Sequence, residues 1–257
     1  MICTENKLSY FAIKPIIMKK ILLAIILFAV ISTAVHSQSI PSKVIRPDAN
    51  SVVKDTSGMV YPSVIWQKMF ASGEYRLSVI DPRAENPEFL ITALTEAELD
   101  TRYSKMTRPV KSENFTDGQK ISSFATNDID GKKLKLKDLL GKTVVLNFWF
   151  IGCPPCRMEM PALNKLTEKY KNDPNVVFIA IALDDERSLR DFLKTSRFGY
   201  HVVSDGRDYA NLYRIHLYPT NLVLDKEGKV VFSSVGYAIN TPYWIKKSIE
   251  DSKSKAL

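Results

Sequence analysis

Two cysteines separated by two residues, Cys153 and Cys156, are the side chains best suited to chemistry in this sequence. They follow an apolar run, residues 144–150, that predicts a buried strand, and a helical pattern starts at the second cysteine. Free N–H groups and the helix dipole both stabilise a thiolate at a helix N-terminus. The spacing indicates disulfide exchange, in which Cys153 attacks and Cys156 resolves the mixed disulfide. We expect Cys153 to be exposed and Cys156 to be more buried.

The alternatives for this pair are structural cysteines or half of a zinc site. A structural zinc site needs four ligands, and the sequence has no second Cys-x-x-Cys and no Cys-x-x-His. The third cysteine, Cys3, precedes a segment that we expect to be removed, so a framework of several disulfides is not indicated. We therefore expect a redox centre with no metal and no cofactor.

The N-terminal region has the pattern of a secretory signal. Lys19 and Lys20 precede an apolar run, residues 21–35, that is followed by small side chains suited to cleavage. The run is shorter than the ~20 residues that a membrane helix needs, which makes an uncleaved anchor the weaker interpretation. We predict a signal peptide over residues 1–37, with Met18 as an alternative start, and an exported protein of the periplasm or cell envelope.

The composition is that of an ordinary globular protein, with 45% hydrophobic and 25% charged residues in a chain of 257. This length suits one large domain, or a domain with an extension. The net charge is +8, but the basic residues are scattered and form no dense run. Nucleic-acid binding is therefore not indicated.

Residues 38–113 form a separate stretch that we interpret as a small accessory module of unknown role. Segments 75–80 and 89–93 are strand-like, and a capping box at residues 95–98 predicts a short helix. No catalytic constellation occurs in this stretch. A polar segment with proline and glycine, residues 108–118, indicates the boundary.

The second domain, residues 114–257, is predicted to be α/β. Strand and helix patterns alternate in the order β-α-β-α-β-β-α, which implies a central mixed sheet with helices on both faces. Asp130-Gly131 predicts a hairpin turn. Pro161 lies within the helix that follows the cysteines, and we expect it to interrupt and kink that helix.

The chain from residue 118 to its end resembles the thioredoxin superfamily, in particular the TlpA/ResA-like branch of exported thiol–disulfide oxidoreductases with an AhpC/TSA–redoxin type domain. The resemblance covers about 140 of the 257 residues and implies a thioredoxin-like fold. It is carried by an ordered set of motifs: Gly141-Lys142, Val145-Leu-Asn-Phe-Trp149, Cys153-Pro-Pro-Cys156, Glu159-Met-Pro161, Tyr218-Pro-Thr220 and Asp225-Lys-Glu-Gly-Lys229.

The resemblance also implies residue roles. Cys153 matches the attacking thiol and Cys156 the resolving thiol. Pro219 matches the cis-proline that faces the dithiol and leaves backbone groups free for a substrate strand; the alternative is a trans proline at a strand start. Trp149 matches the tryptophan beside the dithiol; the alternative is an ordinary core aromatic.

Asn147 departs from thioredoxins, which have a buried aspartate proton relay at that position. In the ResA-like branch a glutamate at the place of Glu159 does the acid–base work. Glu159 lies three residues after Cys156, on the same helical face. We expect it to be partly buried, with a raised pKa, and to take the proton of Cys156. The alternative is a solvated glutamate that suits the helix dipole.

Pro154 and Pro155 indicate the direction of exchange, because neither has an N–H to donate to the Cys153 thiolate. A less stabilised thiolate favours a reducing couple. We therefore predict a reductase of protein disulfides, with electrons from a membrane donor and no stable small-molecule ligand. By resemblance, its substrates include the haem-site cysteines of apocytochrome c.

Other functions use the same fold. A disulfide oxidase or isomerase would use the same two cysteines. A peroxiredoxin would need Thr-x-x-Cys, whereas Phe150 lies three residues before Cys153. A thioredoxin-fold copper-binding assembly protein would need Cys-x-x-x-Cys and a downstream histidine, and the spacing in this sequence is one residue short.

Overall fold

The computed structural model describes residues 45–254 of the chain. The chain divides into two structural units, Met1–Asp48 and Ala49–Leu257, so nearly all the described residues belong to the second unit. The predicted signal peptide, residues 1–37, lies outside the described residues. Within residues 45–254, no helix is both long enough and apolar enough to cross a lipid bilayer.

A small sheet with two helices forms the N-terminal part of the second unit. Its elements are β1 (Val53–Lys54), β2 (Val60–Tyr61), α1 (Ser63–Ala71), β3 (Tyr75–Val79), β4 (Phe89–Ala93) and α2 (Glu96–Ser104). The strand order is β2-β1-β4-β3, with β1 and β4 parallel and the other pairs antiparallel. The predicted capping box is confirmed: the Thr95 hydroxyl accepts from the Glu98 N–H, and the Glu98 carboxylate accepts from the Thr95 N–H. These bonds satisfy two otherwise free donors at the start of α2.

A short hairpin connects this part to the central sheet. It consists of β5 (Ala125–Asn127) and β6 (Lys133–Lys135), and a 3-10 helix follows at Leu136–Leu139. The predicted turn lies between the strands, where the Gly131 N–H donates to the Asp128 carbonyl at 2.9 Å. Gly131 has φ of 84°, which glycine adopts without steric cost.

The central sheet has five strands in the order β11-β10-β7-β8-β9. The strands are β7 (Thr143–Trp149), β8 (Val176–Ala182), β9 (His201–Val203), β10 (Thr220–Leu224) and β11 (Val230–Val235). β7, β8 and β9 run parallel, whereas β10 is antiparallel to both β7 and β11. All residues of β7 are buried, as its uninterrupted apolar run predicts for a central strand.

Helices cover both faces of this sheet. They are α3 (Pro154–Tyr170), α4 (Glu186–Leu193), α5 (Arg207–Leu212) and α6 (Thr241–Ser254). Val145 packs in one buried cluster with side chains of α3, α4 and α6. Leu146, its neighbour in β7, packs in a second cluster with Ala210 of α5, because successive strand residues face opposite sides. The predicted mixed sheet with helices on both faces is confirmed.

The helix after the cysteines differs from the expectation. It begins at Pro154 and continues without interruption through Pro161, so the predicted break there is wrong. Pro161 is exposed, whereas Met160 and Leu163 are buried in the core on either side of it. Core packing of the buried face holds the helix together, although the proline removes one backbone hydrogen bond.

Both sheets belong to the same unit, Ala49–Leu257. The predicted division between residues 113 and 114 stays a prediction.

Candidate active site

Cys153 and Cys156 are joined in a disulfide at the junction of β7 and α3. Cys153 is the N-cap residue of α3, and its sulfur accepts a hydrogen bond from the Cys156 N–H at 3.2 Å. Pro154 and Pro155 occupy the first turn between them. The sulfur of Cys153 therefore lies where the helix N-terminus stabilises negative charge, with the Cys156 amide as the donor from within this loop.

The two cysteines are equally buried, at 3% exposure each. The expectation that Cys153 is exposed and Cys156 more buried is wrong for this oxidised form. The disulfide holds the Cys153 sulfur against the helix, and both residues belong to the apolar cluster that contains Trp149.

Pro219 follows a cis peptide bond, Tyr218–Pro219. The ring of Tyr218 contacts that of Phe150 edge-on, with centroids 5.4 Å apart, which brings the proline loop against the segment before Cys153. The Pro219 carbonyl accepts from the Gly236 N–H at 2.8 Å. The Pro219 carbonyl is therefore not one of the backbone groups that we expect to be free to bind a substrate strand.

Glu159 lies in α3 and is 1% exposed. The side-chain amide of Asn221 donates to both carboxylate oxygens, at 3.2 Å and 3.0 Å. The side-chain amide of Asn147 in turn donates to the Asn221 oxygen at 2.8 Å. Asn147 and Asn221 face each other across β7 and β10, so the sheet register aligns a chain of hydrogen bonds that ends on the carboxylate.

Burial raises the pKa of the Glu159 carboxyl to about 7, while the hydrogen bonds from the Asn221 amide act in the opposite direction. Burial dominates because a charged carboxylate loses its hydration in the protein interior. Near neutral pH the carboxyl is then close to half-protonated, which suits a group that must both accept and return a proton.

Trp149 is 1% exposed and packs in the core. Its ring contacts Phe198 edge-on at 5.4 Å and Phe192 at 5.8 Å between centroids. Its indole N–H makes no hydrogen bond within the described part of the chain. The tryptophan thus packs in the same cluster as both cysteines, and a catalytic role for it stays a prediction.

Two polar residues of this region were not predicted. Asn221 is an amide directly after the proline motif, which is a local signal, but its contact with Asn147 follows only from the pairing of β7 with β10. Asp184 accepts a hydrogen bond from the Ile151 N–H at 2.8 Å and so fixes the loop before Cys153. The sequence has no comparable signal for Asp184, because the contact depends on the pairing of β7 with β8.

Comparisons with known proteins agree with this geometry. A model of the AhpC/TSA family matches residues 118–233. Thiol-disulfide oxidoreductase ResA from a strain of Bacillus cereus is 40% identical over 121 residues, which cover 46% of this chain and 69% of that protein. Thioredoxin-like protein YneN of Bacillus subtilis (strain 168) is 32% identical over 149 residues, covering 57% of this chain and 85% of that protein.

A solved structure is also similar. The solution structure of a candidate protein disulfide isomerase from Bacteroides thetaiotaomicron aligns with a TM-score of 0.50 and 25% identity, over 58% of this chain and 99% of that chain. Residues 45–117, which include the small N-terminal sheet, lie outside the matched family region.

Proposed function

Because the chain belongs to the AhpC/TSA family of the thioredoxin superfamily, among thiol–disulfide oxidoreductases of the ResA type, we propose that it is an exported reductase of protein disulfides. The observation that carries the proposal is the buried Glu159, hydrogen-bonded by Asn221, three residues after Cys156 on one helix. This arrangement supplies a proton acceptor for the thiol that must resolve the mixed disulfide.

In the proposed reaction, the Cys153 thiolate attacks one sulfur of a substrate disulfide. The substrate S–S bond breaks, a mixed disulfide forms, and the first substrate sulfur leaves as a thiolate that takes a proton from solvent. Glu159 then accepts the proton of Cys156. The Cys156 thiolate attacks the Cys153 sulfur, the second substrate thiolate leaves, and the protein holds the Cys153–Cys156 disulfide. Two electrons have passed from the protein dithiol to the substrate.

The reducing direction is supported by the hydrogen bonds of the dithiol loop. Strong stabilisation of the thiolate favours the reduced protein and makes a couple oxidising. In this loop the Cys156 N–H donates to the Cys153 sulfur, whereas Pro154 and Pro155 have no N–H to offer. The sulfur of Cys153 is thus less stabilised as a thiolate than it would be with two ordinary residues in their place.

The proposals of export and of partners are supported by the N-terminal pattern and by the family. An oxidising compartment would reoxidise the dithiol, so the reductase needs electrons from a membrane dithiol donor. The substrates proposed are disulfides of secreted proteins, among them the haem-site cysteine pair of apocytochrome c.

The test is the equilibrium of the full chain with defined ratios of reduced and oxidised glutathione, read by alkylation of free thiols. We expect a potential well below that of DsbA, in the reducing direction. A potential near that of DsbA, about −120 mV, would contradict the reductase and favour the oxidase that uses the same cysteines. A Cys156→Ser variant should hold a mixed disulfide with a model disulfide protein, whereas Cys153→Ser should not.

A further inference from the structure

The small N-terminal sheet and its helices are fixed beside the dithiol helix by ion pairs. Lys165 of α3 pairs with Glu74 at 2.5 Å between Nζ and Oε1. Lys246 of α6 pairs with Asp100 at 2.5 Å, and its side chain is only 16% exposed. The side-chain amide of Asn240 donates to the Thr107 carbonyl at 3.0 Å. The described part of the accessory module, residues 45–113, therefore presents one defined surface to α3.

A cleft of about 940 Å³ lies between that surface and the dithiol loop. Lys68, Ala71 and Ser72 at the end of α1 form part of one wall. Gly152 and Pro154, the residues on either side of Cys153, form part of the other wall. Because the cleft reaches the neighbours of the attacking cysteine, a polypeptide that presents a disulfide to Cys153 can extend along it.

The walls of the cleft combine apolar side chains with positively charged ones. Met158 is 60% exposed and Tyr237 is 39% exposed, and both line the cleft. Exposed apolar side chains grouped in one groove are typical of a contact site. Among the described residues, no carboxylate forms an ion pair with Lys68 or Arg157, and both line the cleft. The cleft has two acidic lining residues among those that the structure describes. Glu74 is already paired with Lys165, and Glu159 is buried and hydrogen-bonded by Asn221.

We propose that this cleft is the substrate-binding groove and that the accessory module sets its specificity. The inference rests on the proposed function. The occupant is the extended segment beside the substrate disulfide, with an apolar residue next to the cysteine and an acidic residue that reaches Lys68. The acidic partner follows from charge complementarity, because a basic segment would meet two cations without counterions. Lys68 and Ala71 lie outside residues 118–233, so the family match does not account for this wall.

The test uses reduced full-length protein and two synthetic peptides with one internal disulfide each. Both carry leucine beside the cysteines; one adds two aspartates and the other two lysines at the same positions. Each kcat/KM is divided by the kcat/KM for hydroxyethyl disulfide. This small neutral substrate reports the reactivity of the dithiol without contacts to the cleft walls. Wild-type protein should prefer the acidic peptide, and Lys68→Glu should lower the preference about fivefold, since exposed ion pairs are individually weak.

Lys105→Glu is the matched control, because Lys105 is an exposed lysine of the same module that does not line the cleft. Its peptide preference should equal that of wild type. If wild type, Lys68→Glu and Lys105→Glu all show the same peptide preference, the proposed substrate groove is wrong. Sedimentation of wild type and Lys68→Glu tests a second occupant of the cleft. If wild type self-associates and Lys68→Glu does not, the cleft binds a second copy of the chain and the substrate groove is wrong. Failure of wild type to reduce hydroxyethyl disulfide would instead contradict the proposed function itself.

Discussion

At the scale of single residues, the proposed role of Glu159 depends on its protonation, because only the ionised carboxylate can take the proton of Cys156. The carboxyl has a pKa of about 7 because it is buried, so its basic form increases as pH rises through neutrality. A carboxyl with an ordinary pKa would be ionised at every pH above about 6, and it would be a weaker base for a thiol proton.

We expect Glu159→Gln to slow the resolving step near pH 7 by roughly 10²-fold, the lower end of general-base contributions. The wild-type rate should rise with pH through a midpoint near 7, and the variant should lose that inflection. The measurement is release of thionitrobenzoate from its mixed disulfide with Cys153, followed by absorbance. An unchanged pH profile would mean that the carboxyl does not handle the Cys156 proton.

Asn221 should act as a positioning residue for this carboxyl. Its amide donates to both oxygens and so favours the ionised form. Replacement by alanine should move the pH midpoint of the same release reaction upward, by about one unit for a lost hydrogen bond to a charged group. Asn127→Ala, an exposed amide in β5, is the control and should leave the midpoint in place. A midpoint that stays near 7 in Asn221→Ala would exclude the positioning role.

At the scale of elements, the approach of α5 to β8 depends on Gly206. A Cβ at this position would lie 2.3 Å from a side-chain carbon of Ile181 and 2.7 Å from the Ala182 carbonyl oxygen. Gly206→Ala should therefore lower the free energy of unfolding by about 1–3 kcal/mol, measured in urea. The matched control is Gly152→Ala, whose Cβ would meet its nearest neighbour at 3.7 Å. Equal stability of the two variants would contradict the close approach.

The central sheet could be predicted from the sequence because its main strands are long apolar runs that favour a single interpretation. The two-residue strands β1 and β2 could not, since a pair of residues has no detectable alternation. The continuous α3 was missed because Pro161 is a local signal against helix, whereas the burial of Met160 and Leu163 that outweighs it is tertiary. Of the candidate site, the cysteines, Pro219 and Glu159 are local motifs; Asn221 gains its meaning only from the pairing of two distant strands.

At the scale of the whole molecule, Lys246 joins the accessory module to α6. Burial disfavours its charge, but hydrogen bonds to Asp100 and Glu96 outweigh burial and raise the pKa of the Lys246 ammonium. The Lys246 ammonium should therefore stay charged at every pH below the ordinary lysine range. We expect its ion pairs with the accessory module to persist between about pH 5 and 9.

Lys246→Met should increase hydrogen exchange in α2 several-fold, because among the described residues Asp100 then has no cation to pair with and Glu96 keeps only Lys169. Lys247→Met is the control, because it makes the same change on the same helix. Among the described residues, the Lys247 ammonium forms an ion pair only with Asp251, which also lies in α6. The control should leave exchange in α2 as in wild type. Equal exchange in both variants would show that the ion pairs of Lys246 do not hold α2 against α6.

The amide chain from Asn147 to Glu159 has a consequence for folding. Asn147 and Asn221 can meet only when β7 and β10 pair in the observed register. A slip of one residue would turn every side chain of one strand to the opposite face. Asn221 would then leave Glu159, and a buried carboxyl would lose both of its amide hydrogen bonds. The polar groups that would move protons during exchange thus also favour one register of β7 against β10. A misaligned sheet would be less stable, because it would leave a buried carboxyl without its hydrogen bonds, and this selection acts during folding, before any substrate binds.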